Sequence, residues 1–278
     1  MPNQEDLIGS HPKAPNLFSK WLTCNDVAVT ATKLHRSLTP LIASTDSTLV
    51  DWLGRKIFEH HHSEYRIRKL KENFGKLGFK KYAKQNRKLP VADKTKKGNA
   101  TEILLSEYIE GSLGKKLVKV FKLKYNPNSD QAMKGDDTLL IDVVTNKKST
   151  KVRLYLGEAK FRKIPTSAVI KTISKSLSKD KKPLSYSFII DELGRNEDTK
   201  YLADLLDAFL IDEIKGKGDL IYTGFLLSNT DTFDVVEANL NSDNPFFVLI
   251  SIGIDNPEEL INKAFEKAEY LFNNPVKI

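Results

Sequence analysis

The spacing of apolar residues predicts a helical first part of the chain and a second part in which strands and helices alternate. Residues 45–62 carry apolar side chains at helical spacing, and residues 65–82 continue this pattern with two interrupting glycines. Residues 85–98 are polar and basic and contain a proline, which is typical of a linker or an exposed loop. We therefore predict a mainly helical region at residues 1–90, basic toward its end, followed by a separate domain at residues 91–278.

The second part is predicted to open with a helix that begins at Asn99. Asparagine is a favourable N-cap residue, and Glu102 stands three positions later, as in a capping box. Apolar residues then recur on one helical face until Gly111, which is a natural C-terminal stop. Residues 117–123 alternate apolar side chains with lysine and are predicted to form a strand.

Two longer strands are predicted at residues 137–145 and 152–160, on either side of a short polar turn. A tight turn makes such strands antiparallel neighbours. Further helices are predicted at residues 164–177, 200–212 and 257–274, and further strands at residues 219–227 and 245–254. This order of elements is typical of an α/β fold.

Charge is distributed unevenly along the 278 residues. The formal net charge is +8, but residues 55–98 carry +11 and residues 115–182 carry +12, whereas residues 183–278 carry −11. A polyanionic partner would therefore bind the middle of the chain and not its end. The same density of lysine also fits a plain solvated surface, so charge alone does not choose between the two.

Composition excludes several classes of protein. The single cysteine, Cys24, excludes an intramolecular disulfide and a cysteine-rich zinc site. No apolar run approaches the roughly 18 residues of a membrane span, and residues 1–15 lack the apolar core of a signal peptide. We therefore expect a soluble, cytoplasmic protein without a membrane partner. Residues 111–116 have neither the spacing nor the Ser/Thr of a phosphate-binding loop, so we expect no ATP binding by this chain.

Three consecutive histidines, His60, His61 and His62, suggest a metal site at first sight. No other histidine or cysteine stands near them at a recognised ligand spacing. We predict instead that they end a helix, where partly protonated imidazoles suit the negative end of the helix dipole.

Two acidic motifs stand at the ends of the paired strands. Gly135-Asp136-Asp137 precedes the first strand, and Gly157-Glu158-Ala159-Lys160 ends the second about twenty residues later. Because side chains alternate across a strand, Glu158 and Lys160 project from one face, where an acidic residue of the neighbouring strand can approach them. Two carboxylates and a lysine suit metal-assisted phosphodiester cleavage. The carboxylates hold Mg²⁺, which polarises the phosphate and acidifies a bound water, and the lysine orients that water or offsets developing charge.

Simpler explanations of these residues stay open at this point. Glu-x-Lys is a short motif that recurs at residues 213–215, and the pair Glu158 and Lys160 also fits an exposed strand end. Glu102 is also explained as the second half of a capping box with Asn99. The acidic neighbouring strand and the preceding Glu102 favour a site over a chance match.

The order of helix, strand, Gly-Asp-Asp strand, Gly-Glu-Ala-Lys strand and helix resembles the PD-(D/E)XK nuclease superfamily. A closer resemblance is to the nuclease subunit of the Hachiman antiphage defence system. The segments that carry it are Lys97-Gly98-Asn99-Ala100-Thr101-Glu102, Lys134-Gly135-Asp136-Asp137 and Leu156-Gly157-Glu158-Ala159-Lys160-Phe161-Arg162. The resemblance covers residues 95–278. It implies a restriction-endonuclease-like α/β core, with a mixed central sheet flanked by helices, after the mainly helical N-terminal region.

The resemblance also implies a deoxyribonuclease that depends on Mg²⁺ or Mn²⁺ and works on DNA with a superfamily 2 helicase subunit encoded alongside it. By the family pattern, Asp137 binds the metal, Glu158 is the second metal ligand and Lys160 is the catalytic lysine. Glu102 corresponds to the glutamate that the family's helix often supplies to the metal shell. The family spacing of glycine, any residue and aspartate favours Asp137, and Asp136 is the reserve metal ligand.

Basic residues around these motifs are candidates for phosphate contacts, which give affinity without reading base sequence. The candidates are Lys134, Arg162, Lys163, Lys171 and Lys175. The alternative function is a catalytically inactive nuclease-fold module that binds nucleic acid or a protein partner. The intact acidic pair with a lysine speaks against it, since a binding module gains little from carboxylates that face phosphate.

Overall fold

The structure is a computed structural model that describes residues 1–119, 122–126, 128–131, 135–146 and 149–278. In these ranges the helices are α1 (Gln4–Ile8), α2 (Leu17–Trp21), α3 (Ser47–His61), α4 (Glu64–Asn73), α5 (Phe79–Gln85), α6 (Asp93–Leu113), α7 (Ser167–Ser176), α8 (Tyr186–Gly194), α9 (Glu197–Asp207), α10 (Ile211–Gly216), α11 (Phe233–Asn239) and α12 (Pro257–Asn273). The strands are β1 (Leu22–Asp26), β2 (His35–Pro40), β3 (Thr138–Asn146), β4 (Ser149–Arg162), β5 (Leu220–Ser228) and β6 (Phe247–Gly253). Two short 3-10 helices span Lys122–Tyr125 and Pro275–Lys277. None of these helices is both long and apolar enough to cross a membrane.

The six described strands form one mixed sheet in the order β1-β2-β6-β5-β4-β3. The outer pairs β1–β2 and β3–β4 are antiparallel, whereas β2, β6, β5 and β4 run parallel to one another. The antiparallel pair predicted at residues 137–145 and 152–160 is confirmed as β3 and β4. The sequence pattern before residue 90 does not predict β1 and β2, which join the sheet from that region. The division of the chain at residue 90 stays a prediction.

Helices cover both faces of the sheet, so the predicted α/β architecture with a flanked mixed sheet is confirmed. Helices α3, α6 and α12 pack on one face together with Tyr155 and Ala159 of β4. Helices α7 to α11 pack on the other face with Leu154 and Leu156. This alternation follows from the two-residue period of a strand, and it gives Glu158 the same side of β4 as Leu156.

Helix α6 begins at Asp93, within the predicted linker, and not at Asn99. Asn99 is buried inside the helix, and its side-chain amide donates to Nε2 of His61 at 3.0 Å. The helix also runs past the predicted glycine stop to Gly114, whose φ of 64° ends it. A contact with α3 has thus overridden the local capping signal. Because Asn99 caps no helix, the capping-box explanation of Glu102 is wrong.

Of the strand predicted at residues 117–123, the described part of that segment forms a single isolated β-bridge. The backbone N–H and C=O of Val118 both pair with Ile141 at 2.8 Å. The 3-10 helix Lys122–Tyr125 then replaces the strand, and residues 120 and 121 lie outside the described ranges. The 3-10 helix places Lys122 beside the start of β3, where its Nζ donates to the carbonyl of Asp136.

Candidate functional site

Asp137, Glu158 and Lys160 come together where β3 begins. The register pairs Thr138 with Gly157, so the preceding Asp137 lies beside the following Glu158. The Oδ2 atom of Asp137 accepts a 3.0 Å hydrogen bond from the backbone N–H of Ala159 and lies 3.4 Å from Nζ of Lys160. The same Nζ contacts Oε1 of Glu158. One ammonium group therefore bridges the two carboxylates.

The charge state of Lys160 follows from this bridge. Burial alone would lower the pKa of its ammonium, but the adjacent carboxylates of Asp137 and Glu158 outweigh burial and raise the pKa. Lys160 is therefore a fixed cation and hydrogen-bond donor at neutral pH. It is well suited to orient a water or a phosphate oxygen and poorly suited to remove a proton in this state.

Lys122 links Glu102 to this group, and the sequence analysis missed it. Its Nζ lies 3.1 Å from Oε2 of Glu102 and 3.9 Å from Oδ1 of Asp137, and it donates to the carbonyl of Asp136 at 2.9 Å. In the sequence, Lys122 is one lysine among many in a basic block. No local motif marks it, since its partners come from α6 and from the start of β3.

Glu102 is held in a largely buried position on α6. Burial raises the pKa of its carboxyl group to about 7, with a further increase from the charge of Asp137 and an opposing effect of Lys122. Near neutral pH this carboxyl group therefore exchanges readily between its protonated and ionised forms. Its predicted role in the metal shell stays a proposal.

Asp136 points away from Lys160 and toward the segment that precedes α8. Its Oδ2 accepts a 2.8 Å hydrogen bond from the backbone N–H of Ser185, and its Oδ1 lies 4.0 Å from Nζ of Lys181. The side chain is almost fully buried. The structure thus brings Asp137, and not Asp136, to Glu158.

The donor set fits a hard divalent cation such as Mg²⁺. Asp137 and Glu158 offer carboxylate oxygens that already share one cationic group, and Mg²⁺ commonly takes one or two carboxylates and fills its other positions with water and phosphate. Among the described residues, no group of three or more His, Cys, Asp or Glu side chains is placed to hold a metal ion. A site of two carboxylates leaves coordination positions for water and substrate.

Gly157 lets α6 approach β4 next to Glu158. A Cβ atom at this position would lie 1.9 Å from Oγ1 of Thr138 and 2.7 Å from Cδ2 of Leu105. Both neighbours are buried, so they have little room to move away. The glycine of the Gly-Glu-Ala-Lys motif is therefore required for close packing.

We expect Gly157→Ala to lower the free energy of unfolding by about 1–3 kcal/mol, because overpacking forces Thr138 and Leu105 apart. Urea unfolding followed by circular dichroism measures this change. The matched control is Gly98→Ala in α6, where a Cβ atom meets nothing within 4 Å and a helical alanine should be neutral or stabilising. Equal stability of Gly157→Ala and the wild type would contradict the packing role.

Comparison with known proteins decides the family. The HamA family model matches residues 15–268. The chain belongs to the HamA family. It is also 37% identical over 277 residues to the Hachiman protein HamA of Bacillus cereus, across 97% of this chain and 96% of that protein. The resemblance to the Hachiman family is thereby confirmed, and membership of the wider PD-(D/E)XK superfamily stays a prediction.

The HamA match extends further toward the N-terminus than the sequence motifs indicated. The predicted resemblance covers residues 95–278, whereas the family model begins at residue 15. Strands β1 and β2 and helices α3 to α5 are therefore part of what this chain shares with HamA. The structure agrees, since β2 pairs directly with β6 of the sheet.

The candidate phosphate contacts of this HamA-family protein lie in different places. Arg162 lines a groove of about 430 Å³ that also contains Lys160 and Asp137. Lys163 is exposed just beyond the end of β4, and Lys171 and Lys175 are exposed on α7, one turn apart and outside the residues that line the groove. Lys134 lies outside the described residues. The basic residues that do line the groove are Lys94, Lys97, Lys122, Lys160 and Arg162.

The three histidines end α3 as predicted, but the expectation that they are partly protonated is wrong. All three side chains are buried, and burial lowers the pKa of His60 to about 4, of His61 to about 3 and of His62 to about 4. His60 bonds to Glu107 at 2.9 Å, and His61 accepts from Asn99. His60 and His61, as neutral imidazoles, therefore anchor α3 to α6, the helix that carries Glu102.

Proposed function

We propose that this HamA-family protein is a metal-dependent DNA nuclease with a restriction-endonuclease-like core, and that it acts as an effector of antiphage defence. The observation that carries the proposal is the ammonium of Lys160, which bridges Asp137 and Glu158 across two adjacent strands. A cation-binding pair of carboxylates with a lysine, at the edge of a basic groove, suits phosphodiester hydrolysis. The Hachiman name of the Bacillus cereus relative supports the defence role.

Each residue of the group has a chemical part in this proposal. Asp137 and Glu158 would hold Mg²⁺ or Mn²⁺. When bound, the ion polarises the phosphate and acidifies a coordinated water. The N–H of Ala159 fixes the carboxylate of Asp137 through its 3.0 Å hydrogen bond. The protonated Lys160 donates a hydrogen bond to the attacking water or to a phosphate oxygen, where it offsets negative charge as it develops.

A second basic surface is also available to DNA. The helical pair α4 and α5 exposes Arg68, Lys71, Lys76, Lys80, Lys81 and Lys84. Contacts of this kind bind phosphates without reading bases, and their affinity falls steeply as salt rises. In this proposal the residues of the groove cleave the DNA, and the helical pair α4 and α5 increases the affinity for it. Because neither surface reads bases, we expect a nuclease without strong sequence preference.

We propose a superfamily 2 helicase as the partner of this chain. The sequence contains no phosphate-binding loop of the Gly-x-x-x-x-Gly-Lys-Ser/Thr type, so any ATP-driven movement along DNA would be supplied by another subunit. The residues from 183 onward carry a net charge of −11, which repels DNA and suits a protein partner. When the full chain carries an affinity tag, we expect the helicase that is encoded alongside it to co-purify.

The proposal is tested by incubating the full chain, alone and with that helicase, with end-labelled duplex and single-stranded DNA. We expect cleavage with Mg²⁺ or Mn²⁺ and none with excess EDTA, since the carboxylates cannot activate water without the metal. DNA binding measured by fluorescence anisotropy, at low and at raised salt, runs in parallel. Salt-sensitive binding without any cleavage, in either metal and with either preparation, would support the catalytically inactive module instead.

A further inference from the structure

Two lysines alternate with three carboxylates across the site. The ion pairs run from Glu158 to Lys160, from Lys160 to Asp137, from Asp137 to Lys122 and from Lys122 to Glu102. Asp137 therefore has a cation on each side. Lys160 is explained by the proposed chemistry, whereas Lys122 has no part in it.

The surroundings of Lys122 resemble those of a bound cation. Its Nζ lies 2.9 Å from the carbonyl oxygen of Asp136, 3.1 Å from Oε2 of Glu102 and 3.9 Å from Oδ1 of Asp137. Only 17% of the side chain is exposed. Two carboxylates and a backbone carbonyl form a hard oxygen set that also suits a divalent ion.

Charge balance explains why a lysine would fill this position. With Glu102 ionised, the three carboxylates and two lysines sum to −1, and with it protonated they sum to zero. One divalent ion and one phosphodiester then leave a net charge of zero or +1. A second divalent ion would leave +2 or +3 with Lys122 in place and one unit less without it, so the charge of Lys122 opposes the binding of a second ion in this largely buried group.

We propose that Lys122 takes the place of a second metal ion, so that the site binds a single divalent cation between Asp137 and Glu158. Glu102 is then a positioning residue that acts through Lys122 and does not bind the metal. The inference rests on the proposed metal-dependent function. It specifies how many metal ions the site binds and what Lys122 does there.

The experiment is a Mn²⁺ titration of the full chain without DNA, followed by the electron paramagnetic resonance signal of free Mn²⁺. We expect one bound Mn²⁺ per wild-type chain and two per Lys122→Met chain, since methionine keeps the length of the side chain and removes its charge. The double variant, with both Lys122→Met and Glu102→Gln, should again bind one Mn²⁺ per chain. Lys115→Met, which removes an equal charge beside Asp142, is the control and should bind one ion.

A second measurement does not depend on the folding of the Lys122 variant. Glu102→Gln alone should keep one Mn²⁺ with its dissociation constant changed by less than about threefold, because Glu102 contacts Lys122 and not the metal. Two ions on the wild type, or a loss of Mn²⁺ binding in Glu102→Gln, would overturn the single-ion inference and leave the nuclease proposal standing. One ion on a folded Lys122→Met chain would also overturn it. No Mn²⁺ on the wild type would refute the metal-dependent function itself.

Discussion

Replacement of Lys160 by alanine should lower the rate of DNA cleavage by about 10²- to 10³-fold, the usual effect of removing one donor that stabilises charge in a transition state. The reason lies in its position, since its ammonium contacts both Asp137 and Glu158, the two carboxylates that would hold the metal. Initial rates on linear duplex DNA at saturating Mg²⁺, with the helicase present, measure the effect. DNA affinity in EDTA should change little, because many other basic residues line the groove.

The matched control is Lys151→Ala at the opposite end of β4. Lys151 is a largely exposed lysine that pairs with the buried Asp219 at 3.1 Å, and Asp219 keeps a second partner, Arg153 at 3.4 Å, when Lys151 is removed. Its cleavage rate should stay within about twofold of the wild type. Wild-type cleavage by Lys160→Ala would exclude Lys160 from the chemistry. An equal loss of rate in both variants would show that charge removal, and not position, causes the effect.

The strand pair that carries the candidate site could be predicted from the sequence because its determinants are local. A tight polar turn between two apolar runs makes β3 and β4 antiparallel. The two-residue period then puts Glu158 and Lys160 on one side, and the register brings Asp137 beside them. Three of the five charged residues of the group therefore follow from about twenty-five consecutive residues of sequence.

Residues whose role depends on distant packing could not be predicted in this way. Asn99 has the sequence context of an N-cap, yet α6 continues through it because its amide bonds to His61 of α3. Lys122 acquires its role only where α6 meets the start of β3. Local propensity is a weak guide wherever such tertiary contacts compete with it.

The N-terminal strands show a different obstacle to prediction. Strand β1 is mostly polar, so its pattern resembles a loop more than a strand. Its place in the sheet depends in part on Arg36 of β2, which is fully buried and forms a two-pronged pair with Asp26 at 2.6 and 2.7 Å. A buried arginine is the reverse of the apolar signal that sequence patterns detect.

We expect His62→Phe to stabilise the protein by an amount that grows as pH falls. The ring of His62 stacks between Phe58 and Phe272, with centroids 4.6 and 5.1 Å away. Its buried Nε2 finds no hydrogen-bond partner among the residues that the structure describes. Phenylalanine suits such a site, and the carbonyl of Phe58, which accepts from the imidazole, keeps its bond to the backbone N–H of residue 62.

The pH dependence follows from proton uptake by the two states. Burial lowers the pKa of His62 from 6.5 to about 4, so the unfolded chain binds the proton first as pH falls. The wild type therefore loses stability from about pH 6.5 down to about pH 4, and the loss reaches about 3 kcal/mol at pH 4. Since phenylalanine does not titrate, the variant escapes this loss, while Glu102, His60 and His61 titrate alike in both chains and cancel in the comparison. Urea unfolding of both chains at pH 8, 6, 5 and 4 measures the difference. A gap between the two chains that is the same at pH 8 and pH 4 would show that His62 is not held neutral in the folded state.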